Sequence, residues 1–124
     1  MEKKSRKGLR RLWDATGYSI QGLKAAWVNE AAFRQELLLV MVLLPVACWL
    51  GTTTTQRALL IFSLLLILIV ELLNSAVETI VDRIGFEHHE LSGRAKNLGS
   101  AAVLASLIAA VVVWGLAAWE RWAG

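Results

Sequence analysis

The hydrophobic pattern divides the chain into four stretches. In the first, Leu9, Leu12, Trp13, Ile20, Leu23 and Trp27 recur at helical spacing, with Arg10, Arg11, Asp14, Gln21 and Lys24 on the opposite side. This is the pattern of an amphipathic helix lying in a membrane interface. Glycine costs about 1 kcal/mol relative to alanine inside a helix, so a break or bend is expected near Gly17 or Gly22. Three apolar stretches follow. Leu37 to Leu50 is uninterrupted for 14 residues and must recruit part of 27–36 to cross a bilayer, and Ala58 to about Val81 is longer. Asn97 to Trp119 is uncharged for 23 residues, enough for about 30 Å of hydrocarbon at 1.5 Å per residue. The expected layout is all-α and membrane-integral: one domain over 1–124, a surface helix at about 5–28, and transmembrane helices at about 30–50, 57–83 and 95–120. Pro45 lies inside the first span, where a membrane bundle tolerates a loosened ladder.

The second span breaks the pattern at its far end. ELLNSAVETIVD follows ALLIFSLLLILIV without a turn signal. At 100° per residue, Glu71, Asn74, Glu78 and Asp82 fall within about 80° of arc and share one stripe. A carboxylate at the bilayer centre costs roughly 2.5 to 3.5 kcal/mol, which the Leu, Ile, Phe and Val residues before it can offset at about 0.3 to 0.6 each. Nothing in lipid rewards its presence, so Glu71 must face protein, water or a ligand. The structural alternative is that Asn74 and Glu78 bond across helices and hold an oligomer together.

Composition agrees with a small membrane protein: 124 residues, 56% hydrophobic, with a positive mean hydropathy. No signal peptide is expected, because MEKKSRKGLRR precedes an apolar run that begins far from the start. Of the 13 Lys and Arg, all but Arg57 and Arg121 lie in the N-terminal stretch, near the start of the first span or around 83–96. The positive-inside rule then puts the N-terminus and that connection in the cytoplasm, and GTTTTQ and the C-terminus outside. Trp49, Trp114, Trp119 and Trp122 gather at the outer side, Trp13 and Trp27 at the inner one. The net charge of +3 suits anionic headgroups, and no motif for reading nucleic acid is present. The single cysteine, Cys48, cannot form an intrachain disulfide, and His88 with His89 is a weak metal signal.

Arg57 and Glu71 are separated by about 21 Å of helix, so the carboxylates of the stripe lie toward the cytoplasmic side. Glu30, Arg34 and Glu36 mark the same end of the first span, and Arg94 and Lys96 that of the third. An ion channel needs polar groups that continue outward, and here they stop. Carboxylates without zinc spacing suit Mg²⁺ shared with substrate phosphates, and Lys or Arg neutralise phosphate charge. Phosphoryl transfer to a lipid hydroxyl uses all of these, although no Walker loop, kinase glycine loop, HRD or DFG motif is present. Gly99, Ala102, Ser106 and Ala109 or Ala110 form a small-residue face on the third span that packs closely on another helix. Three spans leave little room to bury four polar groups in one subunit, so a homo-oligomer is expected.

The stretches GYSIQGLKAAWVNEAAFRQE, ELLNSAVETIVD and HELSGRAKNLGSAAV, in this order between about Arg11 and Val113, resemble the prokaryotic diacylglycerol kinases. The resemblance implies a homotrimer of three-span subunits in the bacterial inner membrane, with a surface helix and composite active sites at the cytoplasmic interface. It implies synthesis of phosphatidic acid from diacylglycerol and MgATP. Glu71 matches the family's catalytic base, with Asn74 orienting that carboxylate or the lipid hydroxyl, and Glu30 and Glu78 match the carboxylates that hold the metal with ATP. A base at the membrane edge is partly desolvated and therefore stronger, whereas groups nearer water remain ionised for Mg²⁺.

The nucleotide contacts implied by the resemblance fall on Arg11, Tyr18, Glu30, Glu78, Glu87, His88, His89, Lys96 and Asn97. The lipid contacts fall on Arg11, Ser19, Lys24, Trp27, Arg34, Glu36, Glu71 and Ser100, and on Trp49 and Arg57, which the topology assigns to acyl chains. Asn97 stands where the family has aspartate and His88 where tyrosine is common. A related branch phosphorylates undecaprenol instead, and a non-catalytic oligomer or ion pathway is the alternative from another class. Without the resemblance, Glu30 and Arg34 at i,i+4 would read as a helical ion pair.

Overall fold

The computed structural model describes residues 7–85 and 89–124; the candidates Glu87 and His88 lie outside the described residues. Four helices make up the described chain: α1 (Leu9–Asn29), α2 (Ala31–Leu50), α3 (Thr54–Ile84) and α4 (Glu90–Trp122). α2, α3 and α4 are each long and apolar enough to cross a membrane. α1 runs through Gly17 and Gly22 as one helix, so the expected break does not occur. Two glycines at about 1 kcal/mol each weaken a helix without supplying a competing conformation.

A single residue, Glu30, separates α1 from α2 through an extended backbone at φ −119°, ψ 105°. Its amide donates to the carbonyl of Ala26, and its own carbonyl accepts from the Arg34 amide. Glu30 thus closes one helix and opens the next. The last carbonyls of α1, which have no partner within the helix, are satisfied by the Arg34 guanidinium: Nη1 donates to Trp27 at 2.7 Å and to Val28 at 3.2 Å. Arg34 is therefore a cap for α1, and the helical ion pair with Glu30 does not form.

α3 is the central element, packed against both α2 and α4. Its buried residues are Leu60, Ser63, Leu64, Ile67, Glu71, Asn74, Ser75 and Val81. The face that forms the apolar core at one end therefore continues as the polar stripe at the other. At the apolar end Ala47, Leu50, Leu60 and Ala117 close together, flanked by Ile61, Val113, Trp114 and Ala118. The one polar side chain buried beside them, Ser63, donates to the Leu60 carbonyl at 2.7 Å and accepts from Trp114 Nε1 at 3.0 Å, so neither polar group is left without a partner.

Polar ties hold this end. The Thr53 hydroxyl caps α3 by accepting from the Gln56 amide, and the Gln56 side-chain amide donates to Glu120. Arg57 Nε donates to the Cys48 carbonyl at 3.0 Å. Arg121 bonds the Trp49 carbonyl and stacks 4.3 Å above its ring. Gly51 permits the close turn, since a Cβ there would meet Arg57 Cγ at 2.5 Å and its amide nitrogen at 3.0 Å. On α4 the buried residues are Ser106, Ala110 and Ala117, and Gly99 abuts Asn74 of α3. Gly99, Ser106 and Ala110 of the small-residue face thus let two backbones approach, whereas Ala102 and Ala109 are exposed. Large apolar side chains such as Leu38, Met41, Phe62, Ile69, Ile108 and Val111 are exposed.

Candidate active site

α3 is 31 residues long, about 46 Å at 1.5 Å per residue, and exceeds a hydrocarbon core of about 30 Å. Counting about 20 residues from Arg57, the apolar crossing ends near Val77. Glu71 then lies inside, roughly 9 Å short of the exit, while Glu78 and Asp82 lie at or beyond it.

Here α3 meets the first residues of α2 and the first half of α4. A cavity of about 330 Å³ opens between them, lined by Glu30, Glu36, Glu71, Asn74, Glu78 and Ser100 over an apolar floor that includes Val103, Leu104 and Leu107. Six of the sequence-predicted site residues, from α2, α3, α4 and the residue joining α1 to α2, therefore face one space. Glu71 is 4% exposed and Asn74 9%. Among the described residues Asn74 Oδ1 is buried with no partner, while the Glu36 carboxyl lies beside that of Glu71. Unpaired buried oxygens cost about 1–3 kcal/mol each, a cost that is recovered when a ligand supplies a donor or a cation.

Among the described residues no cation lies within ion-pair distance of Glu30, Glu36, Glu71 or Glu78: Lys96 pairs with Asp82 at 2.9 Å and Arg94 with Glu90 at 4.0 Å. Four carboxylates around one cavity without a counter-cation are a donor set of hard oxygens that fits a divalent ion such as Mg²⁺. Among the described residues no three or more His, Cys, Asp or Glu converge into an all-protein cage, and Mg²⁺ characteristically takes one or two carboxylates and completes its shell from phosphate and water.

Ser75 was not picked out by sequence. Its hydroxyl lies 3.3 Å from Glu30 Oε1 and 3.3 Å from Glu71 Oε2, joining the residue between α1 and α2 to the buried carboxylate of α3. The available signal was its position one turn beyond Glu71 on the same face. Gly99 was noted only as a small residue; a side chain there would run into Asn74 Oδ1.

The other candidates are dispersed. Ser19 lines a second, larger cavity of about 650 Å³ between α1 and α3, together with Glu30, Ser75 and Thr79. Arg11, Tyr18, Lys24 and Trp27 lie exposed on α1. Asn97 is exposed on α4, and His89 caps that helix, its Nδ1 accepting from the Leu91 amide at 3.0 Å. Lys96 is half-exposed and held by Asp82. Trp49 and Arg57 belong to the opposite end of the bundle.

Fold and site together define an all-helical chain with three helices fit to cross a membrane and an acidic cavity at one end of them. Residues 17–118 match the model of the prokaryotic diacylglycerol kinase family. The chain is 55% identical to the diacylglycerol kinase of Escherichia coli over 114 residues, 92% of this chain and 93% of that protein. It is 55% identical to that of Haemophilus influenzae, over 87% of this chain and 92% of that protein. With that of Pseudomonas aeruginosa the identity is 52%, over 90% of each. The chain belongs to the prokaryotic diacylglycerol kinase family.

Proposed function

We propose that this protein transfers the γ-phosphoryl group of ATP to the free hydroxyl of 1,2-diacylglycerol, giving phosphatidic acid and ADP. Family membership over most of the chain supports the reaction class, and the relatives named above are diacylglycerol kinases. The observation that carries the reading to this site is the cavity in which Glu30, Glu36, Glu71, Asn74 and Glu78 meet at one end of a membrane-length helix. A lipid hydroxyl presented from the bilayer and a phosphate arriving from water can meet there.

In this reading Glu71 takes the proton of the acceptor hydroxyl as its oxygen attacks the γ-phosphorus and ADP leaves. Asn74, buried beside it with a free carbonyl oxygen, orients the hydroxyl. Glu30 and Glu78 would hold magnesium, which would supply neutralisation of the ATP phosphate charge. Lys96, half-exposed, exchanges Asp82 for a phosphate oxygen. Arg11, Tyr18, His89 and Asn97 serve the nucleotide; Ser19, Lys24, Trp27, Arg34, Glu36 and Ser100 serve the lipid; Trp49 and Arg57 meet acyl chains at the far end. The exposed apolar side chains of α2, α3 and α4 support burial against lipid and further copies, and we assign a homotrimer in the bacterial inner membrane. The charge bias supports a cytoplasmic N-terminus, an outside C-terminus and α1 on the cytoplasmic surface.

The test is phosphate transfer from γ-labelled ATP by the purified protein in mixed micelles, with diacylglycerol and undecaprenol offered separately, with and without Mg²⁺. Mg²⁺-dependent labelling of diacylglycerol is the expected result. Labelling of undecaprenol alone moves the protein to the sister branch, and labelling of neither by a folded oligomer returns the acidic cavity to a structural role.

A further inference from the structure

Five hydroxyl groups of the described helices bond back to their own backbone. Thr16, Ser19, Ser63, Thr79 and Ser106 each donate to a backbone carbonyl three or four residues earlier, the default for Ser and Thr in a helix. Ser75 does not. It is buried at 8% exposure, and its oxygen lies 3.3 Å from one oxygen of Glu30 and 3.3 Å from one of Glu71. Its own backbone carbonyl receives the Thr79 hydroxyl at 2.8 Å.

A serine hydroxyl has one proton to donate. Both separations exceed the usual O–H···O distance of about 2.7–2.8 Å, so the oxygen stands midway between two acceptors. It can close fully on only one of them at a time. Glu30 sits on the one extended residue between α1 and α2, and Glu71 on the buried face of α3. Ser75 thus ties the backbone joint between α1 and α2 to the buried glutamate. It also marks the wall between the two cavities, since Glu30 lines both while Ser75 lines the larger and Glu71 the smaller.

We propose that Ser75 is a positioning residue for phosphoryl transfer, its single hydroxyl proton shared between Glu30 and Glu71 so that the carboxylate assigned to the metal and the carboxylate assigned to the acceptor hydroxyl are held in one register. The proposal rests on the roles given to those two residues above. A hydrogen bond to a charged group is stronger than a neutral one, so loss of the donor loosens the link between the two carboxylates and acts on metal affinity and turnover together. A residue that only fills space acts on neither when its volume is kept.

The experiment compares wild type, Ser75→Ala, Ser75→Thr and Glu71→Gln in the same micelles. It measures kcat and KM for MgATP, Mn²⁺ binding in the presence of ATP by electron paramagnetic resonance, thermal unfolding and oligomer size. For Ser75→Ala, kcat falls about tenfold and Mn²⁺ binds several-fold more weakly, a size set by one charge-assisted hydrogen bond. Oligomer size is unchanged, and Ser75→Thr, which restores the hydroxyl, recovers both quantities to within about threefold of wild type. The proposal is overturned if Ser75→Ala matches wild type in kcat and Mn²⁺ binding. It is equally overturned if Ser75→Ala and Ser75→Thr lose activity alike, in step with unfolding. An inactive wild type defeats the kinase reading itself, and a fully active Glu71→Gln defeats the role of the glutamate; both are distinct from failure at Ser75.

Discussion

Replacing Gly99 by alanine tests whether Asn74 must occupy its observed place. The carbonyl oxygen of Asn74 lies where a Cβ on residue 99 would be, with Asn74 Cγ 3.2 Å and its Cβ 3.8 Å from that point. Asn74 is on the central helix, buried, and bounded by Glu71 and Glu78 on the same face. The added methyl therefore cannot be absorbed by a flexible chain end and must turn the amide away. Alanine in place of glycine favours a helix by about 1 kcal/mol, while overpacking costs about 1–3 kcal/mol, so the net destabilisation is at most about 2 kcal/mol. Turnover suffers more. Loss of the amide from the acceptor hydroxyl removes a hydrogen bond worth about 1.5–3 kcal/mol in the transition state, a fall of roughly 10- to 100-fold in kcat. The measurements are kcat in mixed micelles beside thermal unfolding for Gly99→Ala, Asn74→Ala and the double variant. With the amide already gone, Gly99→Ala should cost little more, and the two effects should be strongly non-additive. Full activity in Gly99→Ala, or additive losses in the double variant, would refute the reasoning.

Two further changes separate roles elsewhere. Glu78→Gln removes a charged oxygen from the acidic cavity and is expected to raise KM for MgATP about tenfold or more, with KM for diacylglycerol unchanged, by initial rates across a Mg²⁺ titration. Ser63→Ala leaves the part-buried Trp114 Nε1 without its acceptor and should destabilise the fold by about 1 kcal/mol with kcat preserved, as read by thermal unfolding and assay below the transition.

Much of the site was legible because placing charge in an apolar helix carries a visible cost. Glu71, Asn74 and Glu78 stand out on periodicity alone, and Glu30 and Glu36 join them because α2 begins at the end where α3 finishes. Ser75 was illegible: a helical serine normally satisfies itself on its own backbone, and only the tertiary arrangement shows that this one does not. The closeness of Gly99 to Asn74 depends on the register of α4 against α3, which no local pattern encodes. For Arg34 the i,i+4 spacing suggested Glu30, but the terminal carbonyls of α1 needed a donor and took the guanidinium. The expected break at Gly17 or Gly22 overvalued local propensity. The pairing of Lys96 with Asp82 follows from their placement at one end of the bundle, yet sequence alone assigned the lysine to phosphate and the aspartate to the stripe.

The most direct measurement is single-turnover phosphoryl transfer by Glu71→Gln, with MgATP binding followed separately and the oligomer shown to be intact. If Glu71 is the base for the lipid hydroxyl, the variant binds MgATP within about threefold of wild type while transfer slows by about 10²- to 10⁴-fold, the usual range for a lost general base. Transfer at the wild-type rate would contradict the assignment and move the chemistry away from this cavity.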